Sequence, residues 1–121
     1  LDTTLEAEGL PRPLTTIGFS NGGMMAGALL AARPDLVEGA ALVAGAYPLP
    51  PDLLPVGRLA GRRVLALRGA HDPFFDESQL EAGVAGYRAA GAEVEAVVDP
   101  DGGHGLTPGQ AGRLDAWLGG S

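Results

Sequence analysis

The chain has 121 residues, 45% of them hydrophobic, and a formal net charge of −7, with all eight basic side chains supplied by arginine. This length allows one domain with a single core, the apolar content argues against disorder, and the acidic balance opposes contact with nucleic-acid backbones, which take a basic face. No apolar run approaches the roughly 18–20 residues of a membrane span, and the absence of cysteine removes disulfides, thiolate nucleophiles and zinc–thiolate sites.

Residues 1–9 read as the last turns of a helix closed by Gly9, with Pro11 and Pro13 blocking its continuation. A short buried strand is predicted over 14–19, then an almost wholly apolar helix over about 21–33, stopped by Pro34. The run VEGAALVAGAY, 37–47, reads as a second buried strand. Residues 48–61 carry four of the ten prolines and read as loop with at most one short helical turn, and 62–70 form a third strand. Asp76 opens a capping box with Gln79, and Leu80, Val84 and Tyr87 keep one apolar face up to Ala90 before Gly91 closes the helix. A fourth strand covers 92–99. Thr107 caps the last helix, Pro108 is its first residue, Leu114, Trp117 and Leu118 form its buried stripe, and Gly119 ends it.

Apolar strands alternating with helices predict an α/β three-layer fold with a mostly parallel sheet of about four strands. In such sheets function sits in the crevice at the carboxyl ends of the strands. The segments at that edge are 20–23, 45–51, 70–76 and 99–106.

Three of them carry chemistry. Gly18-Phe19-Ser20-Asn21-Gly22 matches G-x-S-x-G between a strand and a helix. A nucleophile on so tight a turn takes a strained backbone, and a side chain two positions to either side would collide with strand or helix. Gly23 and Gly27, on one helix face, would let the helix approach the sheet. The plainer reading is that Ser20 caps the helix. Asp72, after the third strand and followed by Pro73, is an Asx-turn residue, a surface acid or a carboxylate that orients an imidazole. His104 stands among Gly102, Gly103 and Gly105 with little to pack against, as an exposed loop histidine or a general base. His71, the other histidine, adjoins Asp72 and reads as a loop residue, the weaker candidate for the base. Ser, then Asp, then His, each just past a parallel strand, is the order in which a serine hydrolase on this sheet presents nucleophile, orienting acid and base.

The segments GFSNGG, GAHDPFF and DGGHGLTPGQ together resemble the carboxylesterase/phospholipase-type serine esterases of the α/β-hydrolase superfamily, from about residue 14 to the end. The resemblance implies Ser20 as nucleophile, Asp72 as orienting acid, His104 as base and the backbone N–H of Asn21 as an oxyanion donor. It further implies hydrolysis of short- to medium-chain carboxylic esters through an acyl-enzyme, with a small-molecule ester as partner and neither a metal nor an organic cofactor. Met25 is expected in the core, with one of the pair Met24 and Met25 lining an acyl pocket.

Such hydrolases carry four strands and a helix before the elbow, and their loop after the third strand supplies the second oxyanion donor. Nothing in this chain matches that loop. The expectation is thus one α/β-hydrolase-like domain over 1–121 that lacks the family's N-terminal strands. The strand 14–19 becomes an unblunted apolar edge, and the last helix is the sole cover of its sheet face. Either the chain is a fragment of a longer hydrolase, as a first residue other than Met suggests, or it pairs with another copy through that edge. The alternative to an esterase is a non-catalytic module of the same fold. No secretory signal pattern stands at the start, so a soluble, cytoplasmic protein is expected.

Overall fold

A computed structural model describes residues 14–119; the helix expected over 1–9 lies outside them. The elements are β1 (Leu14–Phe19), α1 (Asn21–Ala32), β2 (Val37–Val43), a 3₁₀ turn (Pro51–Leu53), β3 (Arg63–Gly69), α2 (Glu77–Ala89), β4 (Glu93–Asp99) and α3 (Pro108–Gly119). The four strands form one parallel sheet in the order β1-β2-β3-β4.

The core follows from the two-residue period of the strands. Ala40, Leu42, Val64 and Ala66 face one side, where Ala26 and Leu30 of α1 and Leu80, Val84 and Tyr87 of α2 pack on them. Ala41, Val43, Leu65 and Leu67 face the other, where Trp117 of α3 closes over them with Leu114 and Leu118 half-buried beside it. Among the described residues α3 is the only helix on that face, and it lies over β3 and β4. Ile17 and Phe19 of β1 share the face through their register with Ala41 and Val43, and they remain about half exposed.

Helix ends are satisfied as the sequence suggests. Asp76 and Gln79 exchange both bonds of the capping box, and Gly91 leaves the helix with φ +102°. Thr107 and Gln110 make the corresponding pair at α3: the Gln110 N–H donates to Thr107 Oγ1 and the Thr107 N–H to Gln110 Oε1, both at 3.2 Å. Arginine finishes α1. Arg58 donates to the carbonyls of Ala31 and Ala32 at 2.8 and 3.0 Å, carbonyls that have no acceptor role left inside the helix.

Three expectations are corrected. The second strand ends at Val43 rather than Tyr47, because Ala44 turns to φ 52° and takes the chain out of extended geometry. Met25 is not a core residue: it is 66% exposed, on the side of α1 toward β1, where it lines a groove with Thr15, Ile17 and Leu29. Gly27 does not serve an approach of helix to sheet. The Tyr87 hydroxyl of α2 occupies the space its side chain would need, with a Cβ there falling 1.8 Å from the oxygen.

Among the described residues no helix is long and apolar enough to cross a membrane.

Candidate active site

All four strands run the same way, so Phe19, Val43, Gly69 and Asp99 end at one edge of the sheet and their following loops meet there. Ser20 is the single residue between β1 and α1. Its backbone sits at φ 56° and ψ −120°, a conformation that side-chain-bearing residues rarely take and that costs on the order of 1–3 kcal/mol. The turn is held by its own hydrogen bonds: Ser20 N–H donates to Val43 O at 2.8 Å, and Ser20 O accepts from the N–H of Gly23 at 2.9 Å. The side chain makes no helix-capping bond. The capping reading of Ser20 is thereby corrected.

The space around this turn depends on glycine, though not at all the positions expected. A Cβ on residue 18 would lie 1.9 Å from Gly22 O, and one on residue 45 would lie 2.2 Å from Ser20 O. Gly22, by contrast, has nothing within 4 Å of where its Cβ would be. The glycine that crowds the turn from beyond the end of β2 is Gly45, which the motif spacing does not include.

Asp72 is buried, so it is not a surface acid, and its two carboxylate oxygens make different contacts. Its Oδ1 accepts from the N–H groups of Phe74 and Phe75 at 2.8 and 2.9 Å, the Asx-type turn, while Oδ2 lies 2.7 Å from His104 Nδ1. Burial pushes its carboxyl up, but the hydrogen bonds from His104, Phe75 and Phe74 outweigh burial and hold it below the ordinary carboxylate value. A carboxylate only accepts, so Nδ1 carries a hydrogen, and in the neutral imidazole Nε2 is then the acceptor. His104 Nε2 stands 3.0 Å from Ser20 Oγ. Ser20, His104 and Asp72 therefore form one hydrogen-bonded line, in which a proton can pass from the hydroxyl to an imidazole whose tautomer is fixed.

The loop carrying His104 is fixed at both ends. The Thr107 hydroxyl donates a short hydrogen bond to Asp99 Oδ2, and the Asp101 N–H donates to Asp99 Oδ1 at 2.9 Å. Those two donors, the Thr107 hydroxyl foremost, hold the Asp99 carboxyl low against a smaller opposing effect of burial. In the middle, His71 N–H donates to Gly102 O at 2.9 Å. This close seam between the loops of Asp72 and His104 depends on Gly69, where a Cβ would fall 2.3 Å from the Gly102 carbonyl carbon. Buried Gln110 adds a bond from its side-chain N–H to Arg68 O at 3.0 Å, tying α3 to β3.

His104 is not without packing. The Phe19 ring lies 5.0 Å from the imidazole, tilted by 49°, and the Phe74 ring lies 5.1 Å away, edge-on at 69°. With these rings around it the side chain is 18% exposed. Phe74 carries a sequence signal, an apolar aromatic in the loop after the third strand, whereas Phe19 reads as a strand residue. His71 is exposed and takes part through its backbone. Asn21 is the first residue of α1, so its N–H has no acceptor one turn back. No group of three or more His, Cys, Asp or Glu able to hold a metal ion occurs among the described residues.

A parallel sheet with this strand order, two helices on one face and one on the other, is the α/β-hydrolase fold, here truncated relative to the solved chains it resembles. The chain superposes on a carboxylesterase from Mesorhizobium loti with a TM-score of 0.79 and 28% identity, over 99% of this chain and 56% of that one. It superposes on the Bacillus cereus carboxylesterase with a TM-score of 0.79 and 25% identity, over 98% of this chain and 55% of that one. In sequence it is 40% identical over 84 residues to the "Putative esterase NocK" of Nocardia uniformis subsp. tsuyamanensis, a match covering 69% of this chain and 24% of that protein. No protein-family model matches the chain. Within the α/β-hydrolase superfamily the chain thus resembles the carboxylesterase and phospholipase/carboxylesterase type, and it spans about half the length of the solved relatives and a quarter of the curated one.

Proposed function

We propose that the chain carries the catalytic serine, acid and histidine of a serine esterase acting on short- to medium-chain carboxylic esters. The observation that supports this best is the hydrogen-bonded line Asp72–His104–Ser20, ending on a serine whose backbone is held in a strained turn. In this reading Ser20 Oγ attacks the acyl carbon while His104 Nε2 takes its proton. Asp72 keeps the imidazole in the right tautomer and stabilises the imidazolium that forms. The Asn21 N–H, at the positive end of the α1 dipole, donates to the developing oxyanion. The alcohol departs with the proton from His104. Water activated by His104 then attacks the acyl-enzyme, releases the acid and restores Ser20.

Hydrolysis of p-nitrophenyl butyrate by the chain and by its Ser20→Ala variant tests the reading. A rate that falls by at least about 10³-fold in the variant is expected; equal rates overturn it. One observation favours a second reading, a non-catalytic module or piece of a larger hydrolase: the chain spans 56% of the Mesorhizobium relative. An oxyanion site short of one donor loses about 10²–10³ in turnover, so background rates in both proteins would support that reading.

A further inference from the structure

We propose that Phe19 and Phe74 form the subsite for the departing alcohol and select esters of neutral, aryl-bearing alcohols. The inference rests on the esterase reading above and adds the class of substrate. Phe19 is 49% exposed and Phe74 is 70% exposed, although both rings pack against the one imidazole of the site. Large aromatic rings left open beside a hydrogen-bonded line of polar groups mark a surface that takes an apolar ligand.

The direction of proton transfer says which part of the ester meets them. Ser20 Oγ forms its bond to the acyl carbon as His104 Nε2 accepts the Oγ proton. The carbon–oxygen bond to the alcohol then breaks as the same Nε2 returns that proton to the alcohol oxygen. The alcohol must therefore leave within hydrogen-bond distance of Nε2. Groups packed on the imidazole flank the alcohol. The acyl group, bonded to Ser20, lies on the other side of the reacting carbon. Two rings at 5.0 and 5.1 Å from the imidazole, one tilted and one edge-on, leave faces and edges for a third ring to continue the cluster. Charge selects in the same sense. The adjoining loops contribute Asp76 and Asp101, both exposed, and the chain carries a net charge of −7, so an anionic alcohol is disfavoured.

The test holds the acyl group constant and varies the alcohol. For acetates, the ratio of kcat/KM for benzyl acetate to that for ethyl acetate is compared between the chain and Phe74→Ala, with Phe74→Leu as a second variant. A ratio is used because a general loss of structure lowers both esters and cancels. The expected result is a fall in the ratio of about tenfold in Phe74→Ala and a smaller fall in Phe74→Leu, while the butyrate-to-acetate ratio for one alcohol keeps its value. An unchanged benzyl-to-ethyl ratio, or a change confined to the acyl series, overturns the proposal. Should no Ser20-dependent hydrolysis be found, the His104 ring protons are followed by NMR during titration with benzyl alcohol and with ethanol. Shifts produced by benzyl alcohol and lost in Phe74→Ala sustain the aryl subsite while the esterase reading falls. Equal responses to the two alcohols overturn the subsite as well.

Discussion

At Ser20 the chain holds a side-chain-bearing residue at φ 56°, and the neighbouring glycines divide into those the turn requires and one it does not. A methyl group at position 18 would press on Gly22 O from 1.9 Å, with backbone on both sides unable to yield. Gly18→Ala is expected to cost at least about 2 kcal/mol. Gly22→Ala meets open space and replaces a helical glycine, so a gain of about 0.5 kcal/mol is expected. Urea denaturation of the two variants checks this, and equal losses would mean that the motif's glycines act together. The Asp72 carboxyl supplies a second prediction at this scale. Its folded-state pKa lies below the unfolded one, because bonds from His104, Phe75 and Phe74 outweigh its burial. The folded state therefore binds fewer protons at this group, and the stabilisation is complete above the unfolded value of about 3.9. It is lost as pH falls through the lower folded value. Stability measured by urea titration from pH 6 to pH 3 should fall less steeply in Asp72→Asn; an identical slope would show that these bonds do not favour the charged carboxylate.

Between residues and the whole lies the segment from Asp99 to Gln110, a loop that holds His104 between two anchors. Thr107 makes three connections there: its hydroxyl donates to Asp99, its oxygen accepts from the Gln110 N–H, and its N–H donates to Gln110 Oε1. Thr107→Val keeps the shape and removes the first two. It should destabilise the chain by about 1 kcal/mol, in the range of a lost helix cap, and should broaden the His104 ring signals in NMR spectra. Sharp, unshifted signals would place the loop's rigidity in the Gly69–Gly102 seam instead. The cap itself was legible from Thr107, Pro108 and Gln110, as the α2 box was from Asp76 and Gln79, because capping bonds reach only three residues along the chain. Strand positions were legible for a like reason, since an apolar run between glycines and prolines has few ways to fold. What lay beyond the sequence was contact between distant segments. Gly45 against Ser20, Gly69 against Gly102 and the two phenylalanines against His104 join residues dozens of positions apart. Ser20, Asp72 and His104 could be nominated because each follows a parallel strand, and parallel strands deliver their ends to one edge. The end of β2 departs from the sequence expectation because Ala44 takes a positive φ that its side chain does not advertise.

For the molecule as a whole the sheet is unevenly covered. Helix α3 lies over β3 and β4, and the face of β1 that carries Ile17 and Phe19 has no helix over it among the described residues. Among the described residues β1 is also at the end of the strand order, with β2 as its neighbour. A strand edge with open N–H and C=O groups beside exposed apolar side chains is a template for association. Ile17 is 53% exposed, and burying its open half would contribute on the order of 1 kcal/mol. On this basis the isolated chain is expected to self-associate through the edge of β1, with a second copy paired beside Ile17. The groove beside Met25 and Leu29 on the other side of the strand would extend the contact. A lysine at position 17 would place a charge in the middle of such an interface and leave the folded core untouched, because Ile17 belongs to neither buried cluster. Sedimentation at about 50 μM should therefore give a dimer or larger species for the unaltered chain and a 12.2 kDa monomer for Ile17→Lys. A monomer in both cases would remove pairing through β1. Association that persists in the variant would move the contact to the other edge of the sheet, at β4, where Val98 is the exposed large apolar residue.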